Sequence, residues 1–233
     1  MPDGTYRDRR AAGRISGLPE QARNVAVEFG RDTLAGTLSV PAGALGLVIF
    51  AHGTGSGRHS PRNRAVAAEL NGAALSTLLL DLLTSEEEAR DRRSAGFRFD
   101  IGLLTERLRA AIDWAAGQPE TAPLPIGLFG ASTGGAAALA AAAMSPAVRA
   151  VVLRGGRPDL AGEALAGVRA PTLMIVGGED RVVLELNREA CAAMTAECRL
   201  DVIAGATHLF EESGALEQVS RLAGDWFTRH LRP

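Results

Sequence analysis

Ser132 stands among glycines in Gly130-Ala131-Ser132-Thr133-Gly134, where it could serve as a nucleophile. The pattern G-x-S-x-G is frequent by chance, and a flexible Gly/Ser connection satisfies it as well. Its surroundings decide the reading. The apolar run Leu124–Gly130 precedes it and a small-residue run, Ala136–Ala143 broken only by Leu139, follows. That is a strand, a tight turn and a helix, the context in which a serine hydroxyl is held up at a sheet edge. A serine needs a base, and the histidines are His52, His59, His208 and His230. His208 follows the last apolar run, in a loop opening on the same side as the serine turn, and is assigned as general base. His230 reads as surface beside Arg229. His59 sits in a polar loop, and His52 begins HGTGSG and orders it. A carboxylate must orient the imidazole. Asp180 lies between a strand and a helix in VGGEDRVV, with adjacent Glu179 and the earlier Asp159 as alternatives.

A developing oxyanion needs two prearranged donors. The N–H of Thr133, next after the serine, is one. The loop HGTGSG supplies the other, through Thr54 or, second, Gly55. Arg58, His59 and Arg62 lie in or after that loop, and Arg154 and Arg157 follow the strand next to the serine turn. Convergence of Arg58, His59, Arg154 and Arg157 would give a basic rim for a substrate carboxylate. Pairing with Asp159 or Glu86–Glu88 would make them structural instead.

These groups need elements to hold them. Residues 24–30 and 33–40 alternate as a hairpin around Arg31-Asp32. Apolar strands are expected at 46–50, 76–83, 124–130, 148–156, 170–178 and 199–205. Helices are expected at 61–70, 101–117, after Ser132, at 181–194 and at 213–231. The charged stretch 84–100 reads as an exposed loop or irregular helix. Buried strands alternating with helices predict an α/β fold with a mostly parallel sheet covered on both faces. About fifteen residues separate the strands ending near Arg154 and starting near Ala170. That is too short for a helical lid, so an open or lightly covered site is expected.

At 233 residues the chain suits one large domain, over 22–233, preceded by a loosely ordered segment 1–21. The net charge of −2 gives no reason to expect nucleic acid. All 25 basic residues are arginine, which excludes lysine Schiff-base and P-loop chemistry and suggests a GC-rich bacterial genome. The amino terminus has no apolar signal core, and no run reaches 18 apolar residues. No membrane association, metal or cofactor is expected, and a cytoplasmic location is. Cys191 and Cys198 are too far apart for a bridge within one helix and carry no zinc pattern, so reduced thiols are expected. Oligomeric state is left open.

The stretches FAHGTGSG, LFGASTGG, IVGGEDRV and AGATHLFEE together resemble the α/β-hydrolase superfamily, in particular its small dienelactone hydrolase-like group. The resemblance spans roughly 22–232. It implies an eight-stranded, mostly parallel sheet with an antiparallel first or second strand, little or no cap, and the order Ser132, Asp180, His208 as a triad. The enzymes that give the group its name use a cysteine nucleophile, whereas position 132 is serine. The expectation is therefore a serine hydrolase of carboxylic esters of small or short-chain acids, with a small-molecule ester as partner. A lactone hydrolase, thioesterase or acyltransferase on the same triad is the alternative. A peptidase and a non-catalytic binding module stand further off.

Overall fold

The computed structural model describes residues 22–94 and 96–232. The expectation for residues 1–21 lies outside the described residues. The chain opens with the antiparallel hairpin β1 (Arg23–Phe29) and β2 (Asp32–Ser39). The register pairs Phe29 with Asp32, so the turn residues are Gly30 and Arg31, one place earlier than expected. Then come β3 (Leu47–Ala51), α1 (Pro61–Gly72), β4 (Ser76–Leu80), α2 (Ser85–Ser94), α3 (Ile101–Ala116) and β5 (Ile126–Ala131). The remainder runs α4 (Thr133–Met144), β6 (Val148–Arg154), β7 (Thr172–Gly177), α5 (Arg181–Ala193), β8 (Cys198–Ile203) and α6 (Ala215–His230).

The eight strands form one sheet in the order β1-β2-β4-β3-β5-β6-β7-β8. Only β2 runs against the rest. Every residue of β3, β4, β5 and β7 is buried, which is why these strands read as unbroken apolar runs instead of alternating ones. One face packs on α1 and α6 through Val48, Phe50, Phe129, Val66, Leu70 and Phe227. The other packs on α3 and α4 through Ile49, Leu128, Leu153, Leu108 and the alanines of α4. Those alanines let α4 lie close to the sheet, so its helix is buried on nearly every side.

Further expectations change. The stretch 84–100 holds a regular helix, α2, whose start is a reciprocal cap. Thr84 Oγ1 accepts from Glu87 N at 3.2 Å, and Glu87 Oε2 accepts from Thr84 N at 2.8 Å. Glu86–Glu88 in its first turn and Arg92-Arg93 in its last complement the helix dipole. The segment between β6 and β7 carries a 3-10 stretch, Pro158–Gly167, that packs on α4 and α5. The cysteines are also not free thiols. Helix α5 ends at Ala193, the chain reverses over 194–197, and Cys198 opens β8 with its Cα 5.5 Å from that of Cys191, forming a disulfide. Seven residues of separation forbid a bridge along one helix, but not across a helix end.

Candidate active site

Ser132 joins β5 to α4 with φ 50° and ψ −123°, a region that non-glycine residues rarely occupy. Strain of this kind persists only where the surroundings over-determine it. Here Ser132 N donates to Arg154 O at 3.3 Å, while Ser132 O accepts from Arg157 N and Gly135 N, both at 3.0 Å. The elbow is therefore pinned to the end of β6. The helix must then start hard against β3. A Cβ at Gly134 would stand 2.3 Å from Ala51 O and 2.5 Å from His52 O, so only glycine fits there.

Asp180 immediately precedes α5, after the end of β7, with its side chain free of any helix-capping bond, and His208 lies in the loop after β8. Asp180 Oδ2 lies 2.6 Å from His208 Nδ1. A carboxylate only accepts, so Nδ1 carries the proton and Nε2 is left as a base. Backbone bonds fix this pair: Gly178 N to Ile203 O at 2.9 Å and Glu179 N to Ala206 O at 3.0 Å lace the two loops together. Glu179 is exposed and faces Arg181, and Asp159 is bound to Arg157, so Asp180 alone of the three carboxylates holds the imidazole. The histidine ring rests on Gly155, where a Cβ would come within 3.3 Å of Nδ1. Gly155 directly follows Arg154, whose carbonyl holds the serine amide, so serine and histidine share one support. Among the described residues no hydrogen bond joins Ser132 Oγ to His208 Nε2. Such bonds commonly tighten only once substrate is bound.

Thr133 is the first residue of α4, and its N–H is one of those a helix leaves unpaired. Thr54 faces it: the two hydroxyls lie 3.2 Å apart. His52 orders this loop. Its Nε2 accepts from Leu82 N at 3.0 Å, so its Nδ1–H is the donor to Gly53 O, also at 3.0 Å. Burial pushes the His52 imidazole below its ordinary value, outweighing the backbone bond to Gly53 and the nearby Asp81 and Glu88 carboxylates.

A cleft of about 680 Å³ runs over the loop 52–60 and reaches Thr133, ending beside the elbow. Its far wall is α2 and the turn after it, through Glu88, Arg92 and Arg98. Composition hid this wall, since α2 is polar all round and buries only Asp91. Asp91 accepts from Phe97 N, Arg98 N and Arg98 Nε and so fixes the turn. The sequence Thr84-Ser85-Glu86-Glu87 carries the capping signal that would have marked the helix.

The four expected rim residues do not converge. Arg58 is bound to Asp81 through N at 2.6 Å and Nε at 2.9 Å, and reaches away to Asn24 and Thr37. Arg157 pairs with Asp159 at 2.8 and 2.7 Å. Both are structural. His59 lines the cleft, with Arg62 beside it. Arg154 is buried with no hydrogen bond to its Nη1 among the described residues. Among those residues no group of three or more His, Cys, Asp or Glu could hold a metal, and no helix is long and apolar enough to cross a membrane.

This sheet order, with a strained serine after β5 and a histidine–carboxylate pair after β8 and β7, defines an α/β-hydrolase fold. Residues 36–228 match the dienelactone hydrolase family, and the chain belongs to it. The solved structure of a dienelactone hydrolase from Anabaena variabilis is similar at 54% identity and a TM-score of 0.89, over 91% of this chain and 100% of that one. Est1E from Butyrivibrio proteoclasticus shares the fold at 18% identity and a TM-score of 0.74, over 92% and 99% of the two chains. A Mycobacterium tuberculosis protein named provisionally as a phosphoribosyl transferase is 56% identical over 98% of this chain and 52% of its own length. The chain thus spans about half the length of the curated relatives it matches.

Proposed function

We propose that the chain hydrolyses small or short-chain carboxylic esters through an acyl-enzyme formed on Ser132. The observation that carries this reading is the positive-φ turn that holds Ser132 between β5 and α4, at the same end of the sheet as the Asp180–His208 pair. Ser132 Oγ attacks the acyl carbonyl and His208 Nε2 takes its proton. Asp180 stabilises the resulting imidazolium, and the Thr54 and Thr133 amides hold the oxyanion. His208 then gives the proton to the leaving alcohol. Water, deprotonated by the same nitrogen, releases the acid and restores the serine.

Ser132→Ala should lower kcat by at least about 10³-fold on 4-nitrophenyl butyrate, as removal of a triad member does. A fluorophosphonate should label the wild-type chain once, at Ser132. A variant with near-normal turnover, or labelling elsewhere, overturns the assignment. The likeness to the Anabaena dienelactone hydrolase favours a second reading, lactone opening, on the same groups. Comparing kcat/KM for the butyrate ester with that for an unsaturated γ-lactone separates the two.

A further inference from the structure

Arg107 is a cation buried where its helix otherwise packs apolar side chains. It sits on α3 between the buried Leu104 and Leu108, and it is 1% exposed. The Phe29 ring covers its guanidinium, with the ring centroid 5.3 Å from Cζ. Nη1 donates to Leu82 O and Nη2 donates to Glu87 Oε1, each at 2.5 Å. Burial raises the Glu87 carboxyl, but its bonds to Arg107 and Thr84 outweigh that and hold it below its ordinary value, so the pair is ionised. A buried ion pair is a poor source of stability. What this one fixes is the chain at Leu82.

Leu82 follows β4, and both of its backbone groups are engaged. Its O accepts from Arg107, and its N donates to His52 Nε2 at 3.0 Å. His52 Nδ1–H donates in turn to Gly53 O at 3.0 Å, and Ser56 N donates to the same oxygen at 3.1 Å. These bonds close the turn Gly53–Ser56, whose second residue is Thr54 and whose third, Gly55, takes φ 68°. Asp81, one residue before Leu82, holds the far end of the loop through Arg58 N at 2.6 Å and Nε at 2.9 Å. Two successive residues after β4 thus grip both ends of the loop 52–58. Glu87 extends the chain of bonds to α2, where Glu88 and Arg92 line the facing wall of the cleft.

Resting on the hydrolase reading above, we infer that Arg107 is a positioning residue for the oxyanion hole. Through Leu82 and His52 it sets the turn that carries Thr54, and Glu87 ties that setting to α2. Arg107 touches no reacting atom. An amide aligned on the developing oxyanion stabilises the transition state and adds little to substrate binding, so its misplacement is read in kcat.

Glu87→Gln keeps an acceptor for Arg107 and removes the countercharge. Arg107→Met removes both bonds and keeps an apolar stem. On 4-nitrophenyl butyrate, kcat per fluorophosphonate-titrated site should fall about threefold in Glu87→Gln and about tenfold in Arg107→Met, with KM within about twofold of wild type, less than the loss from deleting an oxyanion donor outright. Inhibition by a trifluoromethyl ketone, which places an oxyanion in the hole, should weaken by the same factors. Arg107→Lys, with one bond restored, should recover part of both. His52→Leu breaks the same chain nearer the loop, so adding Glu87→Gln to it should lower kcat no further. Hydrogen exchange at the Ser56 amide should quicken about tenfold in Arg107→Met and about threefold in Glu87→Gln. Glu87 is partly exposed, so its variant carries the test where Arg107→Met fails to fold. Wild-type kcat per titrated site in Glu87→Gln, or an effect that multiplies with that of His52→Leu, overturns the positioning role and leaves the hydrolase reading standing. Absence of turnover and of labelling in the wild-type chain overturns the hydrolase reading. Ser56 exchange then decides the link from Arg107 to the loop, which an unchanged rate in Glu87→Gln overturns and a faster one upholds.

Discussion

At the residue scale, the atoms proposed to act in catalysis are placed by backbone constraint as much as by side-chain choice. Ser132 is presented because its amide and carbonyl are both held, and His208 because Asp180 fixes its tautomer. The two proposed oxyanion donors belong to different strands' loops, and the Thr54–Thr133 hydroxyl bridge is a direct side-chain tie between them. Thr54→Val removes that tie and leaves both amides. Losing one hydrogen bond of about 1 kcal/mol should lower kcat by about fivefold with KM little changed, and Thr133→Ser should retain activity. An unchanged kcat in Thr54→Val would show that the loop needs no such anchor. His52 adds a pH dependence. Its folded value lies below the ordinary 6.5, so the unfolded chain binds the extra proton first as pH falls. Its contribution to stability is full above about 6.5 and declines below it, as protonation costs the acceptor for Leu82 N. The urea midpoint should therefore fall between pH 7.5 and 5.5, and His52→Gln should flatten that fall. An equal fall in the variant would assign it to other groups.

At the element scale, the disulfide holds the end of α5 to the start of β8. The opposite ends of these elements lead to Asp180 and His208. Replacing both cysteines by alanine frees a loop with a sequence separation of 7. The chain-entropy relation gives about 2.5 kcal/mol for so short a closure, readable as a lower urea midpoint. A midpoint unchanged in the variant and in the reduced protein would show that packing alone holds this corner. What the sequence reveals follows the same scale. Buried strands announce themselves as apolar runs such as Leu47–Ala51, and the serine turn is legible from its small neighbours. The cysteine pairing is not legible, because it depends on the chain reversing within four residues after Ala193. Helix α2 is half legible: its cap and charge order are written in Thr84–Arg93, but it has no apolar stripe. The rim arginines fail for a third reason. Charge is visible in sequence, but whether a guanidinium meets Asp81, Asp159 or nothing is set by packing between distant segments.

At the scale of the whole molecule, the proposed chemistry and the packing that stabilises β5 occupy opposite ends of the sheet. The chain leaves β3 towards β4 on one side and returns to β5 on the other, so the loops after β3 and β5 part and leave a crevice. The cleft lies there, at the carboxyl ends of the strands. At the other end, β5 begins beside α6. A Cβ on Gly127 would stand 2.6 Å from the Phe227 ring, and Leu231 packs at the same place. Gly127 and Ser132 are five residues apart on one strand, about 16 Å at the usual rise. Phe227 is fully buried, so Phe227→Ala should cost about 3–5 kcal/mol by leaving a cavity under β5. The elbow is anchored to β6 and β3, not to α6, so kcat per folded molecule at low temperature should stay within about twofold of wild type, since sites this far apart are usually independent. Active-site titration with a fluorophosphonate counts the folded fraction and makes that comparison exact. A loss of kcat in proportion to the loss of stability would mean that the sheet transmits strain from its base to the elbow.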